Sequence, residues 1–153
     1  MKAEHINPFL KSLVNTFKTM LYIDLTREPL FLKEDTQLAH PISGVVQLSG
    51  QLSGIAVISV SEEVALQAAS TMLMMDVPEV NDDVIDTVGE MANLFVGGAK
   101  ADLAKHKLTL GLPKVVNGTD QPVDYPEGVT PLCVPFQCEW GPMQIEVALA
   151  QQS

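Results

Sequence analysis

Asp86, Glu90 and Asn93 stand in the run Asp86-Thr-Val-Gly-Glu90-Met-Ala-Asn93-Leu-Phe-Val-Gly-Gly-Ala-Lys100. On a helix, their i, i+4, i+7 spacing places the three polar side chains on one stripe. An amide about a turn from a carboxylate can hold a water and grip a cation. A stripe of this kind forms no pocket of its own. The chemistry it permits is therefore chemistry on another protein's surface.

Two faces separate when the residues of this helix are placed at about 100° each. Val84, Ile85, Val88, Met91, Ala92, Phe95, Ala99 and Leu103 share the side expected to meet a core. Asp86, Glu90, Asn93, Gly97, Ala101 and Ala104 fall opposite. Gly89, Gly97 and Gly98 each cost about 1 kcal/mol of helix propensity relative to alanine. Close approach by another backbone, from this chain or from a partner, is a reason to carry them. On spacing alone a solvated face accounts for the polar stripe as well as a binding surface does.

The elements that must position this stripe can be read around it. Asn81 caps the helix, with Asp82 and Asp83 in its first turn, and the helix is predicted to run to about Lys105. A first helix is predicted from Asn7-Pro8 to about Tyr22, its apolar side formed by Leu10, Leu13, Val14, Phe17 and Leu21. Ser61 caps a second helix that continues through Met75, and Met72, Met74 and Met75 are expected to fill a gap beneath it. Hairpins are expected at residues 45–60, through Gly50-Gln51, and at residues 132–149, around Trp140-Gly-Pro142. Ile145, Val147 and Leu149 alternate with Gln144, Glu146 and Ala148, the pattern of a strand buried on one side. Short strands are expected at residues 30–33 and within 111–118, the latter at an edge because of Pro113. Residues 119–128 read as an exposed loop, and Phe136 and Trp140 as core or dimer-contact residues. With no βαβ rhythm, these elements predict an α+β fold on an antiparallel sheet.

A length of 153 residues bounds the chain to one domain, taken as 1–153. Its net charge of −10, with scattered basic residues, argues against nucleic acid. No apolar run approaches the ~18 residues of a membrane span, and the first residues lack the pattern of a signal peptide. A cytoplasmic protein is expected. Cys133 and Cys138 lie five apart in one predicted strand and point to opposite faces, which favours reduced thiols. His5, His40 and His106 show no ligand spacing, and Asp82 and Asp83 point about 100° apart, so no metal site is predicted.

Taken in this order, the residues resemble the CheC/CheX/FliY family of chemotaxis phosphatases. The resemblance rests on Asp86-x-x-x-Glu90-x-x-Asn93 with the following Leu-Phe-Val-Gly-Gly-Ala-Lys. The Ser-Gly-x-Val-x-Leu-Ser-Gly hairpin before it and Gly-Leu-Pro-x-Val-Val-x-Gly after it also match. Only one such motif is present. The first helix offers Ser12, Thr16 and Thr19 at matching spacing but neither Glu nor Asn there, which resembles the CheX branch. The resemblance implies an antiparallel β-sheet with two long helices, the first and third, packed side by side on one face, and a homodimer formed through sheet edges. It also implies a substrate, the aspartyl-phosphate of a CheY-like receiver domain. Asn93 would orient the attacking water and Glu90 would pair with the receiver's lysine. Asp86, Gly97 and Ala101 would meet the partner. The receiver supplies its own Mg²⁺, so no cofactor or metal of this chain is expected. The competing reading is a non-catalytic module that binds a phosphorylated receiver or a flagellar-switch component.

Overall fold

Two β-hairpins meet edge to edge at the centre of the molecule, which in the computed structural model is described for residues 3–35, 37–120 and 123–151. The first joins β3 (Ile42–Ser49) to β4 (Leu52–Val60), and the second joins β7 (Leu132–Cys138) to β8 (Gly141–Gln151). β4 and β8 pair along their length, from Leu52 opposite Gln151 to Val60 opposite Met143. The resulting order is β7-β8-β4-β3, antiparallel throughout. Short strands finish both edges. β1 (Thr26–Arg27) and β2 (Phe31–Leu32) lie on β7, whereas β5 (Thr109–Leu110) and β6 (Lys114–Asn117) lie on β3. Pro113 falls between β5 and β6 at this edge, where its missing N–H breaks no ladder.

α1 (Ala3–Leu21) and α3 (Asp82–Asp102) lie side by side on one face of the sheet, with α2 (Glu62–Leu73) beside them. α1 and α3 run in opposite directions. His5 meets His106, just past the end of α3, while Ser12 meets Phe95. Phe9 and Phe95 pack edge to face at 5.8 Å, and with Leu13, Phe17, Ile58 and Ile145 they are fully buried. α3 sits directly on β3 because Gly44 lacks a side chain. A Cβ there would lie 2.7 Å from the Ala92 Cβ. This contact sets the height of α3 above the sheet, and its outer stripe with it.

α1 begins earlier than expected, at Ala3, and contains Pro8 in its second turn. The proline removes one N–H, but burial of Ile6 before it and of Phe9 and Leu10 after it keeps the chain helical on both sides. α2 stops at Leu73 because Met74 takes a left-handed conformation, φ 55°. Met74 and Met75 consequently end up 92% and 58% exposed, so only Met72 packs against the core.

β8 departs most from its sequence pattern. Every residue from Met143 to Leu149 is buried, on both faces. The second face is covered by the segments before β3 and after β6. The described part of the expected loop, residues 119–120 and 123–128, is therefore not free of the core, while residues 121–122 lie outside the described residues. Val123 and Tyr125 pack against Leu38, Ile55, Val57 and Val116, and Leu38 N donates to Thr119 O at 3.2 Å. Under this cover Glu146 is wholly buried. It accepts from Lys33 Nζ at 3.0 Å, from Gln144 Nε2 at 3.1 Å and from the Tyr125 hydroxyl. Cys133, opposite Glu146, is pushed up to about 12 by burial and then by the Glu146 charge. Both cysteines are free thiols.

Candidate functional site

The Asn81 side chain accepts from Val84 N at 3.1 Å and starts α3. Val84, Val88, Met91, Ala92, Phe95 and Ala99 are then buried along one side, as the periodicity predicts. The covered arc is wider than that. Thr87, Gly89 and Val96 are buried too, while Ile85 is half-buried. At Gly89 the reason is β6, whose Val115 Cγ2 would lie 3.4 Å from a Cβ.

Asp86, Glu90 and Asn93 are exposed on the outer stripe, with Ala101 exposed and Gly97 half-buried further along. All five sequence-predicted residues thus share one ridge. With Ile85, Gly89, Pro113 and Val115, the polar three line an open depression of about 390 Å³. None of the three forms a hydrogen bond or ion pair among the described residues. Their polar atoms are therefore available to a water or a partner, at little desolvation cost while the site is empty. Pro113 and Val115, the far wall, were not singled out as site residues by spacing. Their place depends on β6 pairing with β3 at the sheet edge beside α3.

The adjacent glycines of the ridge have different causes. A Cβ on Gly98 would collide with Ser12 Oγ and stand 3.1 Å from Ser12 Cβ, so Gly98 is required by the contact with α1. A Cβ on Gly97 would meet nothing within 4 Å. Nothing among the described residues accounts for Gly97, and no contact among them offsets its helix-propensity penalty of about 1 kcal/mol.

Ser12, Thr16 and Thr19 do not make a second outward stripe. Ser12 Oγ donates to Phe95 O at 2.6 Å inside the α1–α3 contact, Thr16 is buried, and exposed Thr19 donates to Asn15 O. His5 and His106, far apart in sequence, meet ring to ring at 5.2 Å. Among the described residues no three His, Cys, Asp or Glu side chains are grouped so as to hold a metal ion. No described helix is long and apolar enough to cross a membrane.

An outward polar ridge on one of two paired helices, backed by an antiparallel sheet, defines an α+β protein whose exposed polar groups line an open depression on its surface. Residues 42–137 match the family described as Chemotaxis phosphatase CheX, and the chain belongs to that family. It is 25% identical over 124 residues to the CheY-P phosphatase CheX of Thermotoga maritima, covering 78% of this chain and 79% of that protein. Its structure is similar to that of chemotaxis protein CheX from Vibrio vulnificus, at 32% identity and a TM-score of 0.86, covering 97% and 100% of the two chains. The CheX–CheY–BeF3–Mg complex from Borrelia burgdorferi has the same fold, at 21% identity and a TM-score of 0.82, covering 98% of this chain and 100% of that one.

Proposed function

We propose that this chain dephosphorylates the aspartyl-phosphate of a CheY-like receiver domain. Family membership supports the reading, as do the phosphatase name of the Thermotoga relative and the CheY-bound state of the Borrelia one. The observation that carries it is the exposure of Glu90 and Asn93, both unpaired, beside a glycine with open space above it. Phosphoryl transfer depends chiefly on positioning and charge neutralisation. An amide is no base near neutral pH, but it both donates to and accepts from a water. Asn93 would hold that water in line with the phosphorus. The water oxygen bonds to phosphorus as the bond to the receiver's aspartyl oxygen breaks, releasing inorganic phosphate and a free carboxylate. Glu90 would pair with the receiver's lysine and fix the approach. Asp86 would meet the partner at one end of the ridge, and Gly97 and Ala101 would admit its backbone at the other. Mg²⁺ belongs to the receiver in this scheme, and this chain contributes no metal ligand.

In this reading the protein works beside its receiver in the cytoplasm. A homodimer through a sheet edge accompanies the reading, and the edge bearing β2, where Leu30, Phe31 and Leu32 are exposed, is the one suited to a second copy. The test is a time course of phosphate loss from a phosphorylated receiver with a small amount of this protein added. Faster loss, with turnover beyond one equivalent, is expected. Binding that leaves the phosphate lifetime unchanged would instead establish the non-catalytic module.

A further inference from the structure

We infer that α1 carries the second half of the receiver-docking surface, a basic groove that seats acidic side chains of the receiver around one apolar anchor. The inference rests on the proposed function and goes beyond it by naming what makes the remainder of the contact.

Size requires a second contact. The Asp86–Asn93 stripe spans about 10 Å of one helix, whereas a specific interface covers about 800 Å² per partner. Neighbouring helix axes lie about 8–10 Å apart, so a receiver seated on α3 and leaning toward α1 covers α1 as well. On that side lies a groove of about 600 Å³. It is continuous with the ridge, because Gly98, next to Gly97, is among its walls. Leu10, Val14, Leu25 and Phe136 give it an apolar floor, and Lys11, Lys18 and Arg27 stand along it.

Charge identifies the occupant. The chain has 19 acidic and nine basic residues, and three of those nine gather here. Lys11 lies 3.7 Å from Asp102. Neither Lys18 nor Arg27 has an acid within 4 Å among the described residues. A protein face that holds Mg²⁺ beside a phosphoryl group does so with carboxylates, and is acidic around the site. Bringing such a face to a chain of net charge −10 is unfavourable at long range unless the local field is reversed. The Lys18–Arg27 groove, which reaches α3 at Gly98, reverses it on the α1 side, and the apolar floor accepts a side chain that the charges alone would not hold. The groove therefore sets encounter rate and receiver choice, while the ridge of α3 does the chemistry.

The test measures kcat and KM for dephosphorylation of a phosphorylated receiver by the whole chain, at low and high salt. Lys18→Glu and Arg27→Glu are each expected to raise KM about 5-fold or more at low salt, with kcat within about twofold, and to weaken its salt dependence. Lys105→Glu, an equal charge change at an exposed residue outside the groove, should leave KM near that of the wild type. Wild-type KM at Lys18→Glu and Arg27→Glu, or an equal rise at Lys105→Glu, overturns the inference while leaving the phosphatase reading intact. Failure of the wild-type protein to accelerate phosphate loss removes the reading on which it rests.

Discussion

Alanine at position 97 and alanine at position 98 relieve the same helix-propensity penalty, yet the two substitutions should change stability in opposite directions. A Cβ at 97 meets nothing within 4 Å, so Gly97→Ala should gain about 0.5–1 kcal/mol. At 98 the new methyl stands 3.1 Å from Ser12 Cβ and blocks Ser12 Oγ, which must leave its 2.6 Å bond to Phe95 O. Losing that bond costs about 0.5–1.5 kcal/mol and forcing α1 from α3 costs about 1–3 kcal/mol. Against the propensity gain, Gly98→Ala should therefore lose roughly 1–3 kcal/mol. Urea unfolding with unchanged m-values measures both. The same Gly97→Ala protein should show a raised KM toward a phosphorylated receiver, because the added methyl occupies the space left for the partner's backbone. A destabilised Gly97→Ala, or a neutral Gly98→Ala, would refute the assignment of one glycine to the partner and the other to α1.

The buried cluster on the opposite sheet face gives a second expectation. Lys33→Met leaves the wholly buried Glu146 without its cation, 3.0 Å away, and should cost about 3–5 kcal/mol in denaturant unfolding. Adding Glu146→Leu should recover much of that loss, whereas a double variant as unstable as Lys33→Met would contradict the pairing. A third concerns acid. Burial lowers the His40 pKa below its ordinary 6.5, so the unfolded chain takes up the proton first as pH falls. Stability linked to His40 is thus present above about pH 6.5 and lost below it. His40→Asn should flatten the loss between about pH 7 and about pH 5.5. An unchanged slope would exclude the histidine.

α3 could be read in the sequence because three local signals agree on it: an Asn cap, an apolar 3.6-residue period and an unbroken polar stripe opposite. Each is set within the helix itself, so the placement of Asp86, Glu90 and Asn93 needed no knowledge of distant contacts. β8 shows what local signals miss. Its alternation identifies one apolar face, but the polar face is buried because residues far away in sequence lie across it, with Lys33 and Tyr125 meeting Glu146. Pro8 misled for a related reason, since the burial of Ile6 that extends α1 upstream is a tertiary contact. Met74 ends α2 in a left-handed conformation without the glycine that would announce it. The far wall of the site, Pro113 and Val115, depends on strand pairing at a sheet edge. Local periodicity therefore located the groups proposed to act, and long-range pairing built what surrounds them.

The most direct test of the central claim is the single-turnover and steady-state dephosphorylation of a phosphorylated receiver by Asn93→Ala. Asn93 is exposed and makes no hydrogen bond within the described chain, so its removal should leave folding and receiver affinity near those of the wild type. If it positions the attacking water, kcat should fall about 10²-fold or more. A variant that folds, binds the receiver and removes its phosphate at the wild-type rate would contradict the account.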